Sequence, residues 1–528
     1  MVVDDRRLRR SLVAVALALG ALAACSDGDA ASSSDAGTAV ETTVAEVIDR
    51  SGIIRSGYDH VQQVGAINFD LVASDRVGAN EELFSLVYGN FLSETADGSL
   101  EPDLAESATV VDPNTIELVI RDGVTFHDGT PFDAAAVKAG LERTRDQGDE
   151  GVLTASFMAL GSVDVVAPDT VRLDITDGSA ARWYDNFLGS WETTIVKPEG
   201  PFDTPVGAGP MRVVTHRPGQ SLTLETYADH WDADSMLVAG MELLNIDTAQ
   251  PQSGIAALRA GQVDFVATDI TQLDALSGNL TSHLQPSDGS RTMQMVICKS
   301  EGPLSDVNAR RAVSRAIDRD AINEAVFRET AVPATQIWPD GHRLNNPDVA
   351  DELAFDLEGA REALAASAYP EGFSFTIYPL PVSGLPEVAT IMKAQLAEID
   401  VDLTIVPGAN YVTDFLQANV PGAGLQAGGS QGRAKLNAWM GDSLGNVCDY
   451  NDPELNRLAA ELGPLSDNTD EAVAIWHEIA ALAVDDVLNV PILFQSGITA
   501  YNTDRLGNLV LMPGYGFPLP DPRETYVK

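Results

Sequence analysis

The segment from Leu100 to Leu141, LEPDLAESATVVDPNTIELVIRDGVTFHDGTPFDAAAVKAGL, constrains the fold more than any other part of the chain. Thr115–Ile120 reads as a strand, Asp122-Gly123 as a tight turn, Val124–Phe126 as a short strand and Asp128-Gly129 as a second turn. Asp-Gly favours turns because Gly tolerates positive φ and Asp bonds locally to the backbone. Asp133 then announces a helix, its carboxylate placed to accept hydrogen bonds from the free amides of the first turn. The result is well-punctuated α/β sequence. His127 and Asp128 invite an acid–base or metal-ligand reading. No second His lies at ligand spacing nearby, so the pair is assigned to turn geometry.

The N-terminus reads as a targeting segment. Arg6, Arg7, Arg9 and Arg10 precede an apolar run from Leu12 to Leu22, which is shorter than the ~20 residues a spanning helix needs. Leu22-Ala23-Ala24-Cys25 follows, similar to a bacterial lipobox, in which the Cys is diacylated and becomes the first mature residue. A plain signal peptide with a chance Cys is the alternative. Residues 1–24 are therefore expected to be a lipoprotein signal peptide, with Cys25 the lipid attachment site. The protein is expected to be extracytoplasmic and lipid-anchored to the bacterial cell membrane. Residues 25–52 begin small, polar and acidic and are expected to be a flexible tether.

The formal charge of −45 falls to −47 when residues 1–24 are lost, because four Arg and two Asp leave with them. A surface this acidic repels phosphate backbones and excludes nucleic acid as a partner. The 528 residues suffice for two or three domains with sizeable cores.

Several later elements are equally well punctuated. Pro205-Val206-Gly207-Ala208-Gly209-Pro210 enters a strand at Met211–Thr215, with Trp231 about 20 residues on. Ala257 to Asp264 is a helix end, with Gly261 suited to the position just past it, and a new strand. Leu304 to Val326 reads as two helices, capped by Asp306 and Asp320, and Arg310 and Arg311 read as structural or surface residues. Cys448 to Leu455 contains Asp452 as an N-cap and Pro453 at the first helical position.

Taken in order, these elements resemble those of the family 5 extracellular solute-binding proteins, the receptors of peptide and nickel importers. In that family a P-x-LAES element is followed by an R-x-G-V-x-F-H-D-G-T-P-F turn. PVGTGPY…YW, aLksGevD, sDvrvRqA and c-x-Y-s-n-P-e-l elements come after it. The resemblance covers about residues 60 to 510. It implies an α/β, two-lobed periplasmic-binding-protein-like fold of type II, with an enlarged first lobe and a hinge between lobes. The first lobe is expected at 53–289 plus 493–528 and the second at 290–492. It further implies a monomeric receptor, not an enzyme, that closes around a small-molecule or peptide ligand and delivers it to an ABC permease. The ATPase is then a separate chain, since no Gly-Lys-Ser/Thr of a phosphate-binding loop appears. No cofactor and no metal site is expected.

Two readings from other classes stand beside this one. A ligand-presenting sensor without transport uses the same closure. A secreted hydrolase lacks support, since neither Gly-x-Ser-x-Gly nor His-Glu-x-x-His occurs and the seven His are scattered. Nickel and haem transport also lie within the family, but no convergent His is visible in the spacing. Of the three Cys, Cys298 and Cys448 remain once Cys25 is lipidated, and they are a candidate disulfide outside the cytoplasm. Two packed thiols are the alternative.

In peptide-binding relatives an Asp before the c-x-Y-s-n-P element often pairs with the ligand's α-ammonium. Here Leu425 to Trp439 contains no carboxylate. Arg433 can instead present a bidentate fork to a carboxylate or phosphate, and Trp439 a flat apolar wall. The alternative places Arg433 and Lys435 on a solvated loop and Trp439 in the core.

Overall fold

The chain builds two mixed sheets from interleaved segments. The computed structural model describes residues 48–58, 69–70, 81–95, 97–147, 157, 159–197, 204–246, 251–285, 292–381, 384–407, 410–427, 436, 438–441, 445–512 and 519–528. One sheet has seven strands, in the order Leu280–Gln285, Gly497–Asn502, Phe265–Ala267, Ile53–Tyr58, Gly240–Asn245, Ser221–Thr226, Met211–Arg217. Ile53–Tyr58 is parallel to both of its neighbours. The other has six, in the order Val332–Pro333, Asn489–Phe494, Thr292–Ile297, Ala423–Ala427, Phe373–Pro379, Val401–Ile405. There Phe373–Pro379 is parallel to both neighbours. The chain leaves the first sheet after Leu280–Gln285 and leaves the second after Asn489–Phe494. Gln285 pairs with Gly497 on one side and Thr292 with Phe494 on the other, so the described ends of the two crossings lie side by side.

A four-stranded antiparallel sheet, Ala105–Asp112, Thr115–Ile120, Thr170–Ile175 and Leu160–Ala167, is added to the first body. Its middle strands bury Ile116, Leu118, Ile120, Val171, Leu173 and Ile175, the period of two that a sheet with one buried face requires. These residues share a core with Ile54, Leu224, Leu243 and Phe265 of the seven-stranded sheet. The six-stranded sheet has its own core around Met295, Ile297, Ile377, Leu403, Leu425 and Ile492. Asn489–Phe494 is buried at every position, as a strand covered on both faces must be. Pro491 is tolerated there because the pairing with Thr292–Ile297 shifts register between Met293 and Gln294, a bulge that relieves the ladder of its missing donor.

Local capping signals set several helix starts. Asp133 Oδ1 accepts from the Ala136 amide at 2.9 Å ahead of Ala134–Gln147. Asp306 accepts from the amides of Asn308 and Ala309 ahead of Val307–Arg315. Asp452 does the same for Glu454 and Leu455, with Pro453 following it. Gly261 takes φ +67° past the end of Pro251–Arg259.

Two expectations are corrected. Helix Arg319–Ile322 is capped by Asp318, which accepts from the Ala321 amide at 2.9 Å, and Asp320 stands inside the first turn. The start is moved by Arg319, a buried guanidinium that must reach the carbonyls of Ala334, Pro491, Ser314, Ile317 and Leu353. Val124–Phe126 forms no strand, only a single bridge between Thr125 and Pro131. Pro131 has no amide hydrogen with which to extend a ladder.

Candidate ligand cleft

Strand direction locates the cleft. Ala267 ends its strand opposite Thr499, just beyond the passage at Gln495 and Ser496. The parallel strands Ile53–Tyr58 and Gly240–Asn245 therefore also end toward that passage. In the six-stranded sheet Ala427 ends its strand opposite Met293, next to the Thr292–Phe494 pair. Phe373–Pro379 and Val401–Ile405 run in the same direction. Open α/β sheets bind ligands outside the carboxyl ends of their strands. Here two sets of such ends point at one passage, and the space they frame is the candidate site.

The described side chains at these ends include several that are uncharged and polar. Thr499 is wholly buried, and the hydroxyls of Thr268 and Thr499 have no hydrogen-bond partner. The Tyr411 hydroxyl donates to Gln426 Oε1 at 2.9 Å, and burial pushes its pKa up. His283 stands opposite Thr499 across the ladder, and burial pulls its pKa down. Among the described residues no three His, Cys, Asp or Glu side chains are placed to hold a metal ion.

Cys25 and Arg433 lie outside the described residues. Trp439 is 2% exposed and packs in a third core with Trp338, Leu455, Leu458 and Trp476. Cys298 and Cys448 are joined as a disulfide with α-carbons 5.2 Å apart. They lie in a small apolar cluster with Val296, Tyr411, Phe415 and Val447. Arg310 is buried and donates to the carbonyls of Leu304, Ser305, Asp486 and Val487, and Arg311 donates to that of Asp485. Both arginines serve the backbone.

His127 has both ring nitrogens engaged. Nε2 donates to the Gly209 carbonyl at 3.0 Å, and Nδ1 accepts from the Gly207 amide at 3.3 Å. Burial holds its pKa down at about 4. Asp128 is pinned by Lys197 at 2.5 Å and by Thr130. His127 clamps the turn onto the Gly207–Gly209 loop, and Asp128 ties it to Lys197.

Sequence reasoning missed two features. Lys299 is 3% exposed, with its Nζ 3.4 Å from the Ile297 carbonyl and 4.9 Å from the centre of the Tyr450 ring. Burial, with Arg310 nearby, pulls its pKa down to about 7. The second is a set of polar contacts from Asp97, Leu100 and Asp185 of the first body to Arg343 and Ser466–Asn468 of the second. The signal was absent because these residues are hundreds of positions apart.

Two α/β bodies joined by adjacent strand passages define a two-lobed solute-binding fold. The profile of bacterial extracellular solute-binding proteins, family 5 Middle, matches residues 99–435. The chain belongs to that family: it is an extracytoplasmic, non-enzymatic substrate-binding protein of an ABC importer. It is 27% identical over 367 residues to the glutathione-binding protein GsiB of Salmonella paratyphi A, covering 65% of this chain and 68% of that protein. Its fold matches the unliganded open form of the periplasmic murein tripeptide binding protein MppA with a TM-score of 0.78 at 16% identity, over 91% of this chain and 98% of that one. A nickel ABC transporter from Bacillus halodurans matches with a TM-score of 0.72 at 19% identity, over 88% and 97%.

Proposed function

We propose that this receptor captures a peptide-like acid, with glutathione the first candidate, and delivers it to a permease driven by a separate ATPase. The observation that carries the reading is the similarity to glutathione-binding proteins over about two thirds of both chains. Glutathione is a tripeptide with two carboxylates, which suits a cleft in which Arg433 replaces the usual acidic contact with a bidentate fork. Trp439, packed in the third core, is left out of the proposed contacts. The first lobe is taken as 53–289 plus the chain from 495 on, since Leu493 and Phe494 end a strand of the six-stranded sheet, and the second as 290–494, closing about the two strand passages. A ligand that bridges both lobes stabilises the closed form, and each polar group it buries needs a partner. A diacyl chain on Cys25 keeps the receptor at the membrane, and the residues from 25 to 47 give it reach; the tether is shorter than expected, because Asp49 bonds to Val527 and Arg50 to the carbonyls of Asp234 and Met236.

Calorimetry with glutathione, trialanine and a nickel–histidine complex, together with native mass spectrometry of the purified protein, tests the reading. Binding of glutathione or trialanine supports it. Binding of nickel–histidine with neither peptide sinks it. Loss of labelled glutathione uptake in a deletion strain separates transport from sensing.

A further inference from the structure

We infer that Asp185 and Asn468 form a clasp that sets the resting angle between the two bodies, and through it the affinity for solute. The inference rests on the closure reading above, and neither residue belongs to the strand ends that frame the cleft. Asp185 lies on helix Ala180–Phe187, which is anchored in the first core by the buried Trp183. Its carboxylate spans the junction: Oδ1 accepts from Ser466 Oγ at 2.6 Å, and Oδ2 accepts from the Asp467 amide at 2.8 Å.

Asn468 continues the junction by reading the main chain of Leu100 with its side-chain amide. Oδ1 accepts from the Leu100 amide at 3.4 Å, and Nδ2 donates to the Leu100 carbonyl at 3.3 Å. Arg343 Nη1 orients Asn468 through Oδ1 at 2.7 Å, while the Arg343 amide donates to the Asp97 carbonyl at 3.3 Å.

The second body presents these groups rigidly. Asp467 Oδ1 accepts from the indole nitrogen of the fully buried Trp476 at 2.7 Å. Thr469, the next residue but one, caps helix Asp470–Asp485. With both sides fixed, the clasp cannot follow a rotation of the bodies, because hydrogen bonds weaken steeply when stretched or bent. It therefore favours one angle over others. A second inter-body contact, Arg328 with Asp274 at 2.6 Å and with the Ile270 carbonyl at 2.9 Å, lies in the open, the ion-paired side chains being 42% and 80% exposed. Solvent screening makes that pair a weak contributor. The Asp185 carboxylate, receiving two donors at a junction, is the stronger element.

The test uses the purified chain and its Asp185→Ala, Asp185→Asn, Asn468→Ala and Arg328→Ala variants. Small-angle scattering of ligand-free protein and calorimetry with glutathione are the readouts, and melting temperature confirms folding. Loss of the clasp is expected to change the scattering profile and to move the glutathione Kd by roughly threefold to thirtyfold. Weaker binding assigns the clasp to the closed arrangement and tighter binding to the open one. Arg328→Ala is expected to stay within about twofold. Wild-type scattering and Kd in both Asp185 variants overturn the clasp. If wild type itself shows no compaction with bound glutathione, the closure reading fails instead. If glutathione does not bind, the ligand-free scattering alone decides. Asp185→Asn guards against an unfolded Asp185→Ala, since it keeps the shape and one acceptor.

Discussion

Arg55 holds the fully buried carboxylate of Asp264 from the neighbouring strand, with Nη2 2.7 Å from Oδ1 and the Arg55 amide 2.9 Å from Oδ2. Arg505, near the chain's end, adds a second guanidinium at 3.1 Å. One acidic side chain thus ties the first strand, the bend after Gly261 and the C-terminal segment together. Removing it leaves a buried amide without its acceptor and two cations without their counter-ion. Arg55 is 30% exposed, so water recovers part of that loss. Asp264→Ala is expected to cost about 3 kcal/mol, the lower end for a broken buried pair, and Asp264→Asn less. Urea unfolding midpoints check this, and an unshifted midpoint refutes it.

The disulfide between Cys298 and Cys448 closes a loop of 150 residues. Restricting an unfolded loop that long is expected to stabilise the fold by about 2–4 kcal/mol. Alkylation of unreduced, denatured protein should find neither thiol, and the double Ser variant should unfold at lower denaturant. Two alkylatable thiols would rule the bridge out.

His127 makes stability depend on pH in a definite direction. Its folded pKa is about 4, against about 6.5 for an unperturbed His. As pH falls below about 6.5 the unfolded chain takes up the proton first, so stability is whole above that pH and is lost as pH falls toward about 4. His230, which burial drives down to about 3, acts with the same sign and continues further into acid. Each pKa unit is worth about 1.4 kcal/mol, so His127 alone accounts for about 2–3 kcal/mol of that loss. His127→Gln should flatten the difference in unfolding free energy between pH 7 and pH 4.5. An identical difference in wild type and variant would remove His127 from the account.

What the sequence made legible was local. Asp133, Asp306 and Asp452 could be read as caps because a cap is decided within four residues. Asp318 and Asp320 could not be ranked, because the choice between them depends on carbonyls at 334, 353 and 491 that receive Arg319. Val124–Phe126 had the composition of a strand, yet its partner is a proline. Strand order, and with it the position of the cleft, was reachable only through the family resemblance, since Thr292 and Phe494 pair across two hundred positions. Lys299 gave no signal because a buried Lys held by a carbonyl and an aromatic ring contradicts the ordinary expectation for its residue type.

Membrane attachment is expected to depend on one atom, the sulfur of Cys25. Cys25→Ser should release the protein from the membrane fraction and leave its melting temperature unchanged, because a Ser side chain cannot carry the thioether-linked diacyl chain. A variant that stays with membranes through a high-salt wash counts against the lipid anchor.

Arg433 carries the sharpest expectation about the solute. A carboxylate held by a guanidinium fork in a closed, water-poor cleft gains two charge-assisted hydrogen bonds, and the loss of one such charged contact costs about 1.5–3 kcal/mol. Arg433→Ala should therefore weaken glutathione binding by roughly tenfold to a hundredfold. Arg433→Lys should recover only part of the loss, since an ammonium supplies the charge without the fork. Blocking the ligand's carboxylates as esters should weaken binding to wild type and barely change binding to the Ala variant. Equal affinity of wild type and Arg433→Ala by calorimetry would mean that another group orients the acid.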